Sequence, residues 1–415
     1  MRTVLSGIAA LLGGVLLFLT ANGLLSTLLA VRLSLDGLAP AATGLVLAAY
    51  YVGFFLGALR AQRVLRDVGH IRAFTAFAAA MTAATLLHAL IPSAWAWALL
   101  RLIAGFAMAA LFLITESWLN ERADTENRGT VLSLYMVTAQ LGLGGGQLLL
   151  GAASPMEDTL FQIVAVLFAL ALIPVALTRS MAPTPPPETH VPLRRLYAIS
   201  PIGMVGAATA GVVQASFFAM GPVHATGIGL PSGQVGLYMA TVVLGGVLLQ
   251  WPLGALSDRI GREGVYAGTV AALASVCVGM VFAPEWGLSA VAGGALAFGG
   301  LLFMLYPLAV AQANDWATAH ERVGVAGGLL IAYGVGAVAG PMLAGLAIEL
   351  LGPGGLFLFC AAALVLLLFF TFAQLTRRPQ LPAALQTPFA PVMRTSTAMV
   401  ELDPRIDDPP AASSD

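Results

Sequence analysis

The sequence predicts an all-α polytopic membrane protein with twelve transmembrane helices, and three observations predict it. Hydrophobic residues make up 59% and charged residues 9% of the 415-residue chain, whose mean hydropathy of +0.90 lies far outside the soluble range. Apolar runs follow one another, each near the roughly 20 residues that cross a hydrocarbon core of about 30 Å at 1.5 Å rise per residue. The runs lack the alternation of barrel strands and consist mostly of Ala, Leu, Gly and Val, so helices are the way their backbone is satisfied.

In order, the runs cover residues 5–31, 40–59, 71–91, 95–118, 130–153, 160–177, 199–224, 234–256, 266–283, 288–313, 324–350 and 355–375. The first follows Arg2 but is too long for a signal-peptide core and has no convincing cleavage site, so it is read as a retained helix. Cys277 and Cys360 fall inside apolar runs and behave as small hydrophobes, outside any metal or redox spacing. No metal or cofactor is expected.

All 19 basic charges are arginine, and their placement is lopsided. Arg2, Arg60, Arg63, Arg66, Arg72, Arg122, Arg128, Arg179, Arg194, Arg195, Arg259, Arg262, Arg322, Arg377 and Arg378 lie at the N-terminus, in the even-to-odd loops or at the start of the tail. Arg32 alone sits in an odd-to-even loop. The positive-inside rule then places both termini of a multi-pass plasma-membrane protein in the cytoplasm, which requires an even number of spans.

The segment TRSMAPTPPPETHVPLRRLYAIS divides the runs six and six. The expected units are an N-terminal six-helix bundle (1–178), a cytoplasmic Pro-rich linker (179–198), a C-terminal six-helix bundle (199–376) and a disordered cytoplasmic tail (377–415). A constant offset of 194 pairs Gly105 with Gly299, Asn120 with Asn314, Arg128 with Arg322, Gly142 with Gly336, Gly146 with Gly340 and Gly151 with Gly345. Parallel six-helix repeats related by a pseudo-twofold axis along the membrane normal form a site at their interface, which is a transporter's plan.

The most specific local pattern is GALSDRIGRE, 254–263, where the eighth run ends. Gly254 admits a close neighbour, Asp258 at a helix end accepts hydrogen bonds or faces a helix N-terminus, and Arg259 and Arg262 supply partners around a tight turn at Gly261. The cluster suits a gating latch on the cytoplasmic side, to which the repeat-related Arg128 and Arg322 are added; an ordinary charged loop is the plainer alternative. The chain here resembles the major facilitator superfamily, whose G-x-L-x-D-R-x-G-R signature is matched at Gly254, Leu256, Asp258, Arg259, Gly261 and Arg262. Arg101 and Gly105 look like a second signature of that superfamily, an Arg followed four residues later by Gly. ESWLNERADTENRG and RVLRDVGHIRAF resemble a branch of small bacterial members whose substrates are mostly unassigned.

The resemblance covers about residues 5 to 375 and implies secondary active transport by alternating access. The first-half copy of the loop signature departs from the pattern, with Arg66 in the acidic position. AQLGLGGGQ, 139–147, lacks the proline of the family's exporter motif, so direction of transport stays open.

Arg101 lies about 9 Å along the fourth run from Trp95 at 1.5 Å per residue. It either snorkels outward beside Trp95 and Trp97, or faces a water-filled cavity to meet a substrate anion, a carboxylate or carbonyl groups. At helical spacing it shares a face with Gly105, Met108, Phe112 and Thr115, which favours the cavity. Glu116, about 22 Å farther along, belongs at the inner mouth, where it binds Arg128, carries a proton or caps the cytoplasmic network. Asn22 and Gln214, at similar depths of the first and seventh runs, and Gln140 on the fifth complete the expected path. The alternative for each is a helix–helix hydrogen bond of about 0.6 kcal/mol. Gln147, Tyr238, Tyr306 and Tyr333 form a second tier, and His88 and His224 are read as interfacial.

The expected function is that of a secondary active transporter moving a small organic solute between two rocking halves. A membrane sensor or assembly partner that keeps the fold is the alternative. An enzyme is not expected, because convergent acids, histidines or a metal cluster are missing. The expected partners are a small-molecule solute and the lipid bilayer, with a coupling proton left open, no nucleic acid, and a monomeric chain.

Overall fold

The computed structural model describes residues 2–123, 126–176 and 191–377, together with Gln386, Phe389, Met393, Thr395, Ser396 and Met399 of the tail. The helices of the first half are α1 (Arg2–Leu35), α2 (Pro40–Val68), α3 (His70–Leu90), α4 (Ala94–Arg122), α5 (Arg128–Leu148) and α6 (Thr159–Ala176). A short α7 (Leu193–Ile199) precedes α8 (Pro201–Gly227), α9 (Ser232–Ile260), α10 (Arg262–Phe282), α11 (Leu288–Asn314), α12 (Arg322–Leu351) and α13 (Gly355–Leu375).

Among the described residues, ten helices are long and apolar enough to cross a membrane. The Gly-rich α5 and the shorter α6 pack along α1 and complete the twelve runs read from the sequence. Pro40 and Pro201 open α2 and α8 in the first turn, where a missing N–H costs nothing. Gly69 and Gly261, at φ 81° and 99°, let the chain reverse between α2 and α3 and between α9 and α10. Large apolar side chains such as Leu350, Leu366 and Phe369 remain exposed, as lipid-facing surfaces require.

The expected linker, 179–198, is described only from residue 191, and its last part forms α7. This segment is fastened to α12: the Val191 N–H donates to the Gly324 carbonyl at 2.9 Å, and Arg195 pairs with Glu321 at 2.9 Å.

The repeat has a packing counterpart. A Cβ added at Gly142 of α5 would come 2.9 Å from the Leu16 carbonyl oxygen of α1, and at Gly336 of α12 2.0 Å from that of Ala208 of α8. One turn on, Gly146 and Gly340 stand the same way to Thr20 and Val212, at 2.1 and 2.4 Å. Gly105 of α4 and Gly299 of α11 each leave only 1.9 Å to the carbonyl oxygen of Tyr50 of α2 or Val242 of α9. Helices this close pack through their backbones, the device by which small residues hold membrane helices together without a hydrophobic drive.

The two halves meet mainly through α2 on α12 and α5 on α9. The described arginines of the α2–α3, α4–α5, α9–α10 and α11–α12 loops mark one end of the bundle, here the arginine-rich end; only Arg32 marks the other. The halves are closed at the arginine-poor end. A Cβ on Gly44 would come 2.3 Å from the Pro341 carbonyl oxygen, one on Gly345 2.5 Å from that of Pro40, and one on Gly236 2.4 Å from that of Gln147. The Ala41 N–H also donates to the Glu349 carboxylate at 3.0 Å across the same seam.

Candidate functional site

Between the halves, on the arginine-rich side of that closure, lies a cavity of about 170 Å³. Its wall draws on α1, α2, α4, α5, α8, α9, α11 and α12, and on Met393 and Thr395 of the tail.

Arg101 is placed by the glycine one turn along its helix. Because Gly105 lets α4 approach α2 at Tyr50, the Arg101 guanidinium lies over the Tyr50 ring, 4.2 Å from its centroid. The side chain is 3% exposed and lines the cavity, and its Nε and Nη1 donors have no hydrogen-bond partner among the described residues. No acid pairs with it among the described residues. Stacking on a tyrosine contributes about 0.5–2 kcal/mol, well short of the several kcal/mol needed to desolvate a cation, so unmet attraction for an anion remains. Trp97 is itself buried and donates to the His88 and Ile91 carbonyls at 3.0 and 2.8 Å, leaving Trp95 alone at the surface.

Asn22 and Gln140 also line the cavity, and the buried Asn22 Oδ1 has no partner. Gln214 lies in the wall with its amide engaged: Nε2 donates to the Leu302 carbonyl at 3.1 Å, and Oε1 accepts from the Tyr333 hydroxyl at 3.2 Å. Gln147 accepts from Thr27. Of the three tyrosines in the second tier, Tyr306 and Tyr333 reach the wall and Tyr238 does not. His88 and His224 are buried near the ends of α3 and α8, each with one ring nitrogen paired with the Ala84 or Pro353 carbonyl at 2.6 or 2.8 Å.

Glu116, expected at the inner mouth of the path, is not part of the cavity wall. Its buried carboxylate lies beyond the arginine-rich end of the cavity and accepts from the Tyr135 hydroxyl at 2.7 Å and from Thr395 and Ser396. No arginine pairs with it among the described residues.

At the same end, Gly254, Asp258, Gly261 and Arg262 are brought together. Arg262 is fully buried and reaches Asp258 and Asp315, each at 3.2 Å, tying the α9–α10 turn to the end of α11. Arg259 departs from the expected cluster: it is exposed and makes no ion pair among the described residues. Arg128 and Arg322 open α5 and α12 at equivalent positions. Sequence reasoning missed Asp315, although an acid directly after Asn314 signalled a partner for the loop. It also missed Tyr50 and the tail residues, which had no motif to flag them.

A model of the Major Facilitator Superfamily matches residues 10–303 and again 202–400. The chain belongs to the major facilitator superfamily. An uncharacterized MFS-type transporter of Yersinia pestis (strain Pestoides F) is 31% identical over 394 residues, 92% of this chain and 97% of that one. The uncharacterized MFS-type transporter YcaD of Escherichia coli O9:H4 (strain HS) is 26% identical over 364 residues, 87% and 94% of the two chains. Among solved structures, the nucleoside transporter NupG superposes with a TM-score of 0.74 at 15% identity over 88% of this chain and 98% of its own. An inward-facing bacterial homologue of the lysosomal transporter Spinster gives 0.70 at 15% identity over 90% and 98%. This major facilitator protein is thus a multi-pass, MFS-type transporter, and the relatives fix its fold and family.

Proposed function

We propose that this protein is a secondary active transporter that carries a small organic anion, one with a flat apolar part, through the central cavity by alternating access of its two six-helix halves. The observation that supports this reading best is Arg101. It is a buried guanidinium with two unpartnered donors, stacked on Tyr50, in a cavity whose wall comes from both halves. A carboxylate there gains charge-assisted hydrogen bonds, and an aromatic body finds Tyr50, Tyr306 and Tyr333 around it. The arginine-rich end is cytoplasmic by the positive-inside rule, which makes this an inward-facing state of a plasma-membrane protein with both termini inside.

Among the described residues no carboxylate lines the cavity. Proton coupling, where it operates, therefore falls to Glu116 at its mouth. The test is uptake and efflux in proteoliposomes across a panel of organic anions, neutral solutes and cations, with and without an imposed pH gradient. Losing hydrogen bonds from a charged group costs about 1.5–3 kcal/mol, so Arg101→Ala should lower kcat/KM for the anion about 10–150-fold. Unaltered anion transport in that variant, or movement of cations alone, would overturn the reading.

A further inference from the structure

The described residues of the tail cross the arginine-rich mouth from one half to the other. On the second half, Gln386 accepts from the Arg262 N–H at 3.1 Å, at the open N-terminus of α10. The Phe389 N–H donates to both Asp258 carboxylate oxygens, at 2.9 and 3.0 Å. Its ring rests where Gly254 has no side chain; a Cβ there would come 2.3 Å from Phe389 Cδ1. On the first half, Thr395 and Ser396 donate their hydroxyls to the two oxygens of Glu116. Met393 and Thr395 lie between these anchors and line the cavity, while Met399 is buried beyond them.

Two features mark this as a fitted interaction. Glu116 is a buried acid in a span, and two of its three donors belong to the tail. Phe389 and Thr395 are six positions apart, at most about 20 Å of extended chain, so the segment is anchored on both halves at once. The mouth can close only by bringing those halves together where the tail now lies.

We propose that the C-terminal tail is a tethered plug, with the cytoplasmic mouth as its docking surface, and that transport proceeds only when the tail leaves. The proposal rests on the transport reading above, and its first measurement is independent of that reading. A segment joined to the bundle by a short length of chain acts at about millimolar effective concentration, so contacts worth a Kd of about 0.1 mM keep the mouth filled about nine-tenths of the time. Releasing it then raises access to the cavity about tenfold.

The experiment uses the full-length protein with Cys277→Ala, Cys360→Ala and Ala58→Cys, which places one thiol on the cavity wall. Inside-out vesicles are treated with a membrane-impermeant maleimide. A chain ending at Arg378 should label about tenfold faster than the intact one, and a synthetic peptide of residues 379–415 should restore slow labelling. The triple variant Phe389→Ala, Thr395→Val, Ser396→Ala, which keeps tail length, should match the truncation. Equal labelling rates in all forms would overturn the plug, whatever is transported. Faster labelling with no gain in initial transport rate, in a protein that does transport, would overturn the claim that the tail restrains the cycle. If no form transports any solute, the labelling still decides the plug, and only the transport reading falls.

Discussion

The two ends of the cavity are closed by different materials. At the arginine-poor end helix meets helix: Gly44, Gly345 and Gly236 stand 2.3–2.5 Å, by their absent Cβ atoms, from backbone carbonyls of the opposite half. At the arginine-rich end the helices are bridged by tail residues that make contact through two side-chain hydroxyls, one side-chain amide oxygen, one backbone N–H and one phenyl ring. Backbone cannot yield locally, whereas a tethered segment can leave as a unit. The first closure is therefore part of the conformational cycle itself, and the second is a removable addition to it.

A side chain at Gly44 gives the largest expected break in that contrast. Valine there forces apart α2 and α12 at the seam, with an overpacking cost of about 1–3 kcal/mol, which shifts the closed-to-open ratio about 5–150-fold. Gly44→Val should abolish most transport in proteoliposomes while leaving a monodisperse, folded protein, because the contact lies between halves rather than within one. Wild-type rates would mean that the seam opens more cheaply than its geometry implies.

Tyr50→Leu tests the middle of the path, between the two closures. Removing the ring under Arg101 forfeits about 0.5–2 kcal/mol of stacking and lowers kcat/KM for the anion about 2–30-fold. Access at both ends should stay unchanged, as read by labelling of Ala58→Cys. A change in labelling would show that the Arg101–Tyr50 pair controls closure rather than binding.

Gly254→Ala is the direct counterpart of the change at Gly44, with the opposite sign. The added methyl meets a phenyl ring of the tail instead of a backbone oxygen. We expect faster labelling of the cavity by several-fold and transport that is equal or higher. Lost transport would mean that Gly254 serves a helix contact in another state of the cycle.

These expectations show what the sequence could and could not convey. The succession of apolar helices and the pairing of Gly105 with Gly299 follow from hydropathy and from residues that only a backbone contact explains, and each is written locally. Arg101 was legible because a cation in an apolar span is conspicuous. Its partner Tyr50 was not, since one aromatic among many carries no signal until packing aligns α2 with α4. Glu116 was readable as an acid near the mouth, but two of its three donors lie some 280 residues away in a proline-containing tail with no periodicity. Contacts of that kind depend on the final fold and leave no spacing to read.

The smallest expected effect concerns how the arginine-rich end varies with pH. Glu321 receives hydrogen bonds from Arg195, the larger influence, and from Thr318, and these hold its carboxyl below the usual carboxylate range. A depressed folded-state value means that the pair contributes stability above the ordinary value of 4.5 and loses it as pH falls through the lower, folded one. Both groups are exposed enough for solvent to screen them, so the effect is minor. Glu321→Gln should lower the Tm of the detergent-solubilised protein slightly at neutral pH, by releasing α7 from the start of α12, and the difference from wild type should vanish in strongly acidic buffer. Among the described residues no ion pair crosses the glycine seam at the other end, whose polar contact is the Ala41 N–H donating to the Glu349 carboxylate, so Gly44→Val should converge with wild type less than Glu321→Gln does; equal convergence would mean that the two ends do not differ as a packed and a polar closure.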